Sequence, residues 1–217
     1  MNLEGVSFRK YEPGDLKRCA ALAVQAWPIR GRPVAQPGEP NTFEAWIESD
    51  SRSATWTEVA VVSGDVVGFL FGSVDKLKAK GTAREEAEDM LWMFRRVFSG
   101  DIRGWRISIR TAVSFFLTQF MLEINRPEAD AEISLLIVDE KFRGRDIGKT
   151  LVDRFVKTAK EAGAHSVRLF TDDKISNWKF YEILGFRKTV SFYDAISTYF
   201  AGERANAIYY VLDFDKK

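Results

Sequence analysis

The chain is poor in the two residue types that most often build metal centres and catalytic triads. Among its 217 residues there is one cysteine, Cys19, and one histidine, His165. A single cysteine excludes disulfide bonds within the chain and any thiolate metal cluster. A single histidine leaves little from which to build a histidine metal site or a Ser-His-Asp triad. The sequence therefore predicts no metal site, and its chemistry is expected from other side chains.

An excess of charge and long apolar segments are also missing. The 32 lysine and arginine residues nearly balance the 31 aspartate and glutamate residues, for a net charge of +1, which gives no general attraction to nucleic acid or to a membrane. The N-terminus is polar, and no segment reaches about 18 consecutive uncharged apolar residues, so neither a signal peptide nor a transmembrane helix is predicted. At 46% hydrophobic residues and without repeats, the chain is expected to form a single domain over residues 1–217. We expect a cytoplasmic protein with no nucleic acid and no membrane as partner.

The most informative stretch covers residues 132–155 and reads EISLLIVDEKFRGRDIGKTLVDRF. Its first part, Ile133 to Val138, has the length and the β-branched composition of a buried strand. Its last part places Leu151, Val152 and Phe155 at helical spacing. The loop between them contains two glycines and ends where the helix begins, so free backbone N–H groups and the positive end of the helix dipole converge there. This order predicts an anion site for a phosphate or pyrophosphate, with further positive charge from Arg143, Arg145 and Lys149.

Two known loop patterns use this construction. The first is the nucleotide-binding P-loop, but the segment from Gly144 to Thr150 is one residue too short for it. The second is the pattern R/Q-x-x-G-x-G/A, which Arg143 and Gly148 match and to which Gly144 adds a common extra glycine. This second pattern resembles the acyl-CoA-binding signature of the GNAT superfamily of N-acetyltransferases. Asp146 stands where that family usually has glycine.

A second segment, from Asn177 to Phe186, strengthens the resemblance. It reads NWKFYEILGF and is similar to the family's late FYExLGF element, a short helix ended by glycine and followed by a strand. The chain between the two motifs has room for one helix over about residues 148–162, one strand over about residues 165–171 and a turn. The chain is identified as a member of the GNAT superfamily over about residues 5–75 and 128–215.

The resemblance implies an α/β (α+β) fold. Its sheet is mixed, mostly antiparallel and splayed at the central strands, with helices on both faces. The intervening residues, 76–127, are then an insertion into the domain. Apolar residues recur at helical spacing in two parts of this insertion, from Ala83 to Phe98 and from Ile109 to Ile124, which predicts an extra helical hairpin.

The family's activity implies transfer of an acetyl group from acetyl-CoA, as cosubstrate, to an amine by direct attack. An alkylamine has a pKa of about 10.4 and is therefore protonated at neutral pH. A base must take a proton from it before it can attack. The resemblance suggests Glu132 for this step and Tyr181 for protonating the leaving thiolate. From the residues alone, Glu132 has an alternative role as an exposed strand-edge carboxylate, and Tyr181 has one as a packed aromatic residue. The residues expected to bind acetyl-CoA are Leu136, Ile137, Val138, Arg143, Gly144, Arg145, Asp146, Ile147, Gly148, Lys149 and Asn177, of which Asn177 has helix capping as an alternative role.

An alternative function is open on the same scaffold. A non-catalytic acyl-CoA-binding or interaction module would keep the loop and lack the acceptor chemistry. For an enzyme, the expected partner is an amine acceptor, either a small molecule or a peptide or protein. The aromatic residues of the insertion allow core packing, a wall of the acceptor pocket or the surface of a homodimer.

Overall fold

The computed structural model describes residues 3–27, 42–78 and 117–215. Seven β-strands lie in this part of the chain, and they are β1 (Val6–Lys10), β2 (Trp56–Val62), β3 (Asp65–Val74), β4 (Ala131–Val138), β5 (Ser166–Asp172), β6 (Arg187–Tyr193) and β7 (Asn206–Asp213). The described helices are α1 (Leu16–Ala26), α2 (Thr42–Ser53), α3 (residues 117–124), α4 (Ile147–Glu161), α5 (Lys179–Ile183) and α6 (Ala195–Ala201).

The strands form one sheet in the order β1-β2-β3-β4-β5-β7-β6. Only the central pair, β4 and β5, is parallel, and every other neighbouring pair is antiparallel. The turn between β2 and β3 holds Ser63 and Gly64 at positive φ, the conformation that tight hairpins favour. The sheet is therefore mixed and mostly antiparallel, as the resemblance predicted.

The sheet opens at its centre, between β4 and β5. Three residue pairs join these two strands, from Ala131 with Val167 to Ile133 with Leu169, whereas seven pairs join β3 to β4. Beyond Ile133, the edge of β4 that faces β5 has no partner strand among the described residues, while β5 continues along β7. The predicted splay is confirmed. It leaves part of β4 without a partner strand in the described ranges, where the Val138 carbonyl accepts a hydrogen bond from Nε of Arg143.

A β-bulge at Ser134 marks the point where β4 leaves β5. On β3, Phe71 pairs with Leu135 and the next residue, Gly72, pairs with Ile133, so Ser134 is the extra residue. An extra residue reverses the alternation of side chains between the two faces of a sheet. Accordingly, Ile133 lies in the core beneath α4, whereas Leu135 lies in the core beneath α1 and α2.

Helices cover both faces of the sheet. On one face α4 contributes a buried row that includes Leu151 and Phe155. On the other face α1 and α2 bury Cys19, Leu22 and Ile47, which places the single cysteine on the apolar helix face that the sequence predicted. A third cluster packs Leu122 of α3 against β7 on the second half of the sheet.

The predicted insertion over residues 76–127 lies mostly outside the described residues. Its described end includes α3, where the sequence predicts the second helix of the hairpin. Thr118 of α3 donates a hydrogen bond to Asp194, and the main-chain carbonyl of Leu122 accepts one from the Tyr209 hydroxyl at 3.0 Å. These contacts attach the end of the insertion to the half of the sheet that contains β7.

Candidate active site

Asp139 fixes the chain where it leaves β4. Its carboxylate accepts a hydrogen bond from the Lys141 N–H at 3.0 Å and another from Nη2 of Arg18 at 2.7 Å. Its own N–H donates to the Val67 carbonyl at 2.8 Å. Burial alone would raise the pKa of Asp139, but these hydrogen bonds hold it below its usual value. The start of the basic loop is thus anchored to both α1 and β3.

The basic loop turns through two residues in the left-handed region. Gly144 has φ of +74° and Asp146 has φ of +61°. Asp146 precedes α4 as its N-cap residue, and its side chain makes no capping hydrogen bond. Positive φ is easiest for glycine, and aspartate is among the few other residues that adopt it readily. The backbone at this position therefore suits glycine and tolerates the aspartate that the chain carries.

The N-terminus of α4 presents main-chain N–H groups at the place where the sequence predicts an anion site. The Thr150 N–H is bonded to the Asp146 carbonyl at 2.8 Å, while the N–H groups of the three preceding residues lie in the first turn, where a helix offers them no partner of its own. Arg143 and Arg145 are exposed beside this turn, and Lys149 forms an ion pair with Asp153 along the helix. Two exposed arginines and the helix N-terminus therefore make one positive region.

The two sequence motifs meet in space. A β-carbon at Gly148 would lie 3.3 Å from Cζ of Phe180, so the glycine lets the FYExLGF helix pack against the first turn of α4. Tyr181, the next residue, is half-buried with its ring 5.3 Å from that of Phe180 and 5.9 Å from that of Phe186. Burial raises the pKa of Tyr181, so its hydroxyl stays protonated. In the described part of the chain that hydroxyl has no hydrogen-bond partner.

Asn177 lies at the end of a turn that Asp172 organises. The buried Asp172 carboxylate accepts hydrogen bonds from the N–H groups of residues 174–176. Asn177 is exposed, and its carbonyl accepts from the Phe180 N–H at 3.0 Å. The N-cap residue of α5 is Trp178, so Asn177 supports the helix through its main chain and not through its side chain.

Glu132 lies on the sheet face opposite α4, and two arginines hold it. Its Oε2 accepts hydrogen bonds from Nε and Nη2 of Arg168 at 2.9 and 2.8 Å, and it also pairs with Arg126. Arg168 is 7% exposed and donates to the carbonyls of Pro127 and Ala129 as well. The carboxylate suggested as a base is therefore part of an ion-pair network that joins β4 to β5.

Asp50 is a second carboxylate on this face, and sequence reasoning missed it. Its Oδ2 accepts a hydrogen bond from the Ser134 hydroxyl at the bulge of β4, at 2.9 Å. Burial raises the pKa of Asp50 to about 6, the nearby charge of Glu132 acts in the same direction, and the hydrogen bond from Ser134 opposes them. No motif surrounds Asp50, and 84 residues separate it from Ser134, so the sequence carries no local signal for this pair.

Two kinds of feature are absent from the described residues. No group of three or more histidine, cysteine, aspartate or glutamate side chains in the described ranges is arranged to hold a metal ion. Within the same ranges, no helix combines the length and the apolar character needed to cross a membrane.

Comparison with solved structures shows the same fold in several acetyltransferases. Ard1 from Thermoplasma volcanium superimposes with a TM-score of 0.56 at 19% identity, over 96% of this chain and 98% of that one. A polyamine N-acetyltransferase from Drosophila melanogaster gives 0.54 at 17% identity, over 96% and 99%. An aminoglycoside 6'-N-acetyltransferase in complex with coenzyme A gives 0.56 at 14% identity, over 97% and 98%.

Sequence comparison gives the family directly. No curated protein sequence matches this chain significantly. The model of the acetyltransferase (GNAT) family matches residues 19–186, which include the basic loop, α4 and the FYExLGF segment. This match excludes the P-loop interpretation of the loop. The chain belongs to the acetyltransferase (GNAT) family.

Proposed function

We propose that the protein is an N-acetyltransferase that moves an acetyl group from acetyl-CoA to an amine by direct attack. One arrangement carries the proposal. An edge of β4 that has no partner strand in the described part of the chain runs into a positively charged helix N-terminus. In this proposal acetyl-CoA is a substrate and supplies the acetyl thioester.

The residues around the opening of the sheet suit acetyl-CoA. The main-chain amides from Gly144 to Lys149, together with Arg143 and Arg145, would hold its pyrophosphate. The free edge of β4 at Leu136 to Val138 would pair with the amides of the pantetheine arm, as an added strand pairs with a sheet edge. The exposed side chain of Asn177 would contact the same arm.

The chemistry needs a proton acceptor, an oxyanion donor and a proton donor. Main-chain N–H groups on the open edge of β4 would stabilise the oxyanion that forms on the thioester carbonyl. Tyr181, neutral because its pKa is raised, would give a proton to the leaving thiolate. Two carboxylates on the opposite face could take a proton from the amine, namely Glu132, which the resemblance suggests, and Asp50.

The acceptor is expected to be a cationic amine of a small molecule, a peptide or a protein. The similar structures include enzymes named for polyamine and aminoglycoside acetylation, and the acceptor side of this sheet carries two carboxylates. A cytoplasmic location, a single domain with an insertion at 76–127, a homodimer and the lack of nucleic-acid, membrane and metal partners stay predictions.

The alternative is a non-catalytic acyl-CoA-binding module, and one observation favours it. Asp146 places a negative charge beside the helix N-terminus that would hold the pyrophosphate, which opposes anion binding there. In this alternative the fold and the loop persist without transfer.

Two measurements test the proposal. Acetyl-CoA without Mg²⁺ should stabilise the protein against heat, by about 2.7 kcal/mol at a hundredfold excess over Kd. A screen of amines and peptide N-termini for release of free CoA thiol should find an acceptor. Binding without any release of CoA across the screen would favour the module, and no binding at all would contradict both functions.

Replacing Tyr181 separates catalysis from binding. Tyr181→Phe should keep the affinity for acetyl-CoA and lower kcat by about tenfold or more, because the hydroxyl is needed only as the thiolate develops. Tyr210→Phe is the matched control, since Tyr210 lies next to Tyr181 and its hydroxyl donates to Glu182 at 3.1 Å instead. Equal turnover in the two variants would show that Tyr181 is not the proton donor.

A further inference from the structure

A hydrogen-bonded pair lies where the sheet opens, on the face away from α4. Ser134 is the bulged residue of β4 and the first residue beyond its last pair with β5. Its hydroxyl reaches Asp50 of α2 at 2.9 Å and the carbonyl of Phe71 at 3.1 Å. The pair therefore places a carboxylate beside the start of the unpaired edge of β4.

The two carboxylates near this opening differ in how fully they are bonded. One oxygen of Glu132 receives three guanidinium hydrogen bonds, two from Arg168 and one from Arg126. These charge-assisted bonds commit that oxygen to the two arginines. Within the described residues, the Asp50 side chain accepts one hydrogen bond, which Ser134 donates to Oδ2. Its Oδ1 makes no hydrogen bond to any of them.

We propose that Asp50 is the proton acceptor for the amine substrate and that Glu132 instead holds β4 and β5 together. This inference rests on the proposed N-acetyltransferase function. The ammonium group gives one proton to Oδ1 of Asp50, and the freed nitrogen lone pair forms the N–C bond at the thioester carbonyl. The C–S bond then breaks, Tyr181 gives its proton to the departing thiolate, and the second proton of the nitrogen, released to solvent, replaces the one that Tyr181 gave. The products are the amide, the free thiol and one proton that Asp50 returns to solvent.

Ser134 can serve both protonation states of Asp50. While Asp50 is ionised, the serine hydroxyl donates to Oδ2. Once Oδ1 of Asp50 is protonated, Oδ2 is a carbonyl oxygen that can still accept from the serine hydroxyl, and the Phe71 carbonyl offers that hydroxyl a second acceptor. Oδ2 therefore keeps the serine hydroxyl as a possible partner in both states, while Oδ1 stays available to the substrate.

Burial and the neighbouring charges determine the pH at which Asp50 gains and loses its proton. Burial is the largest cause of its raised pKa, of about 6, and Glu132 of β4 adds repulsion. On α2 itself, Glu48 and Arg52 pair with each other. Among the elements packed against α2, α1 carries the charged residues Lys17 and Arg18, and β3 carries Asp65. Lys17 and Asp65 are exposed, and Arg18 is bonded to Asp139. Asp50 should therefore be ionised, and able to accept a proton, above about pH 6 and lose this ability below it.

The test is the pH profile of kcat/KM for an amine that the wild type acetylates, from about pH 5 to about pH 9. Asp50→Asn should lower kcat/KM about a hundredfold at neutral pH, abolish the acidic limb and leave the KM for acetyl-CoA unchanged. Asp50→Glu should restore part of the rate. Glu48→Gln, on the same helix, is the control and should keep the wild-type profile.

Ser134→Ala provides a second test that keeps the carboxylate. Loss of the hydrogen bond that lowers the pKa of Asp50 should move the acidic limb to higher pH. An acidic limb that persists in Asp50→Asn, one that disappears in Glu132→Gln instead, or one that does not move in Ser134→Ala would overturn the inference while leaving the proposed function intact. A wild type that acetylates no amine would overturn the proposed function and this inference with it.

Discussion

Asp146 shows how one backbone angle can decide which residues a motif tolerates. The residue sits at φ of +61° between the basic loop and α4. Its carboxylate also stands near the positive region proposed for the pyrophosphate. Backbone strain and charge therefore act at the same position, and substitutions can separate them.

Asp146→Gly and Asp146→Ala both remove the charge, but only glycine relieves the left-handed backbone. Both should tighten acetyl-CoA binding modestly and steepen its salt dependence, because one negative charge no longer opposes the phosphates. Asp146→Gly should be more stable than Asp146→Ala by about 1 kcal/mol. Isothermal titration at two salt concentrations and urea unfolding would measure these effects, with Arg143→Ala as a variant that should bind weakly. If the wild type binds no acetyl-CoA and Asp146→Gly does, the site of the natural chain is degenerate.

The raised pKa of Asp50 predicts that this residue lowers the stability of the protein in a way that depends on pH. Its pKa is raised from 3.8 to about 6 on folding, so between about pH 4 and pH 6 the unfolded chain loses a proton that the folded protein keeps. The free energy of unfolding therefore falls as pH rises through this window, by up to about 3 kcal/mol, and stays lower above it. Asp50→Asn should be more stable than the wild type at pH 8, and the difference should shrink towards pH 4.

Urea unfolding of both proteins at several pH values measures this difference. The aspartates with lowered pKa, Asp15, Asp139 and Asp173, are present in both proteins, so their effects cancel. Glu48→Gln serves as the control on the same helix. A stabilisation by Asp50→Asn that is equal at every pH would show that the carboxylate is not desolvated.

At the scale of elements, what the sequence predicted correctly had local signals. The strand and helix flanking the basic loop were expected from Ile133 to Val138 and over about residues 148–162, and they are observed as Ala131–Val138 and Ile147–Glu161. The bulge at Ser134 was not predicted, because the apolar residues of this segment are consistent with a regular strand. Even in the structure, residues 131, 133, 135 and 137 are all buried, as they would be in a strand without a bulge. The reversal between faces depends on pairing with β3, more than 60 residues earlier in the chain. The Asp50–Ser134 pair depends on that same bulge and was missed for the same reason.

Gly72 tests the packing that accompanies the bulge. A β-carbon there would lie 2.7 Å from the ring of Phe155 and 2.8 Å from the Glu132 carbonyl, so α4 or β4 would have to move. Gly72→Ala should destabilise the protein by about 1–3 kcal/mol. Gly14→Ala is the control, since a β-carbon at Gly14 has nothing within 4 Å. Equal urea midpoints for the two variants would show that α4 and β4 have room at Gly72.

At the scale of the whole molecule, the open sheet creates both the proposed binding cleft and a weak joint. The first four strands in sheet order and the last three meet through three residue pairs. The sequence resemblance anticipated this splay, but no residue pattern indicated which side chains would hold the joint. Arg168 and Glu132 sit opposite each other within those three pairs, and Arg126 brings the end of the insertion into the same network.

Replacing Arg168 should therefore weaken the connection between the two halves of the sheet. Arg168→Met removes two hydrogen bonds to Glu132 and two to main-chain carbonyls, and it leaves Glu132 with Arg126 alone. The expected loss is about 2–4 kcal/mol, because a largely buried carboxylate loses most of its compensation. Arg187→Met is the matched control, since the Arg187 side chain is 60% exposed where it pairs with Asp213 and should contribute at most about 1 kcal/mol. Hydrogen exchange should show β5, β6 and β7 losing protection before β2 and β3 in Arg168→Met. A stability equal to that of Arg187→Met, with uniform protection across the sheet, would mean that packing alone holds the halves together and that Glu132 is free for another role.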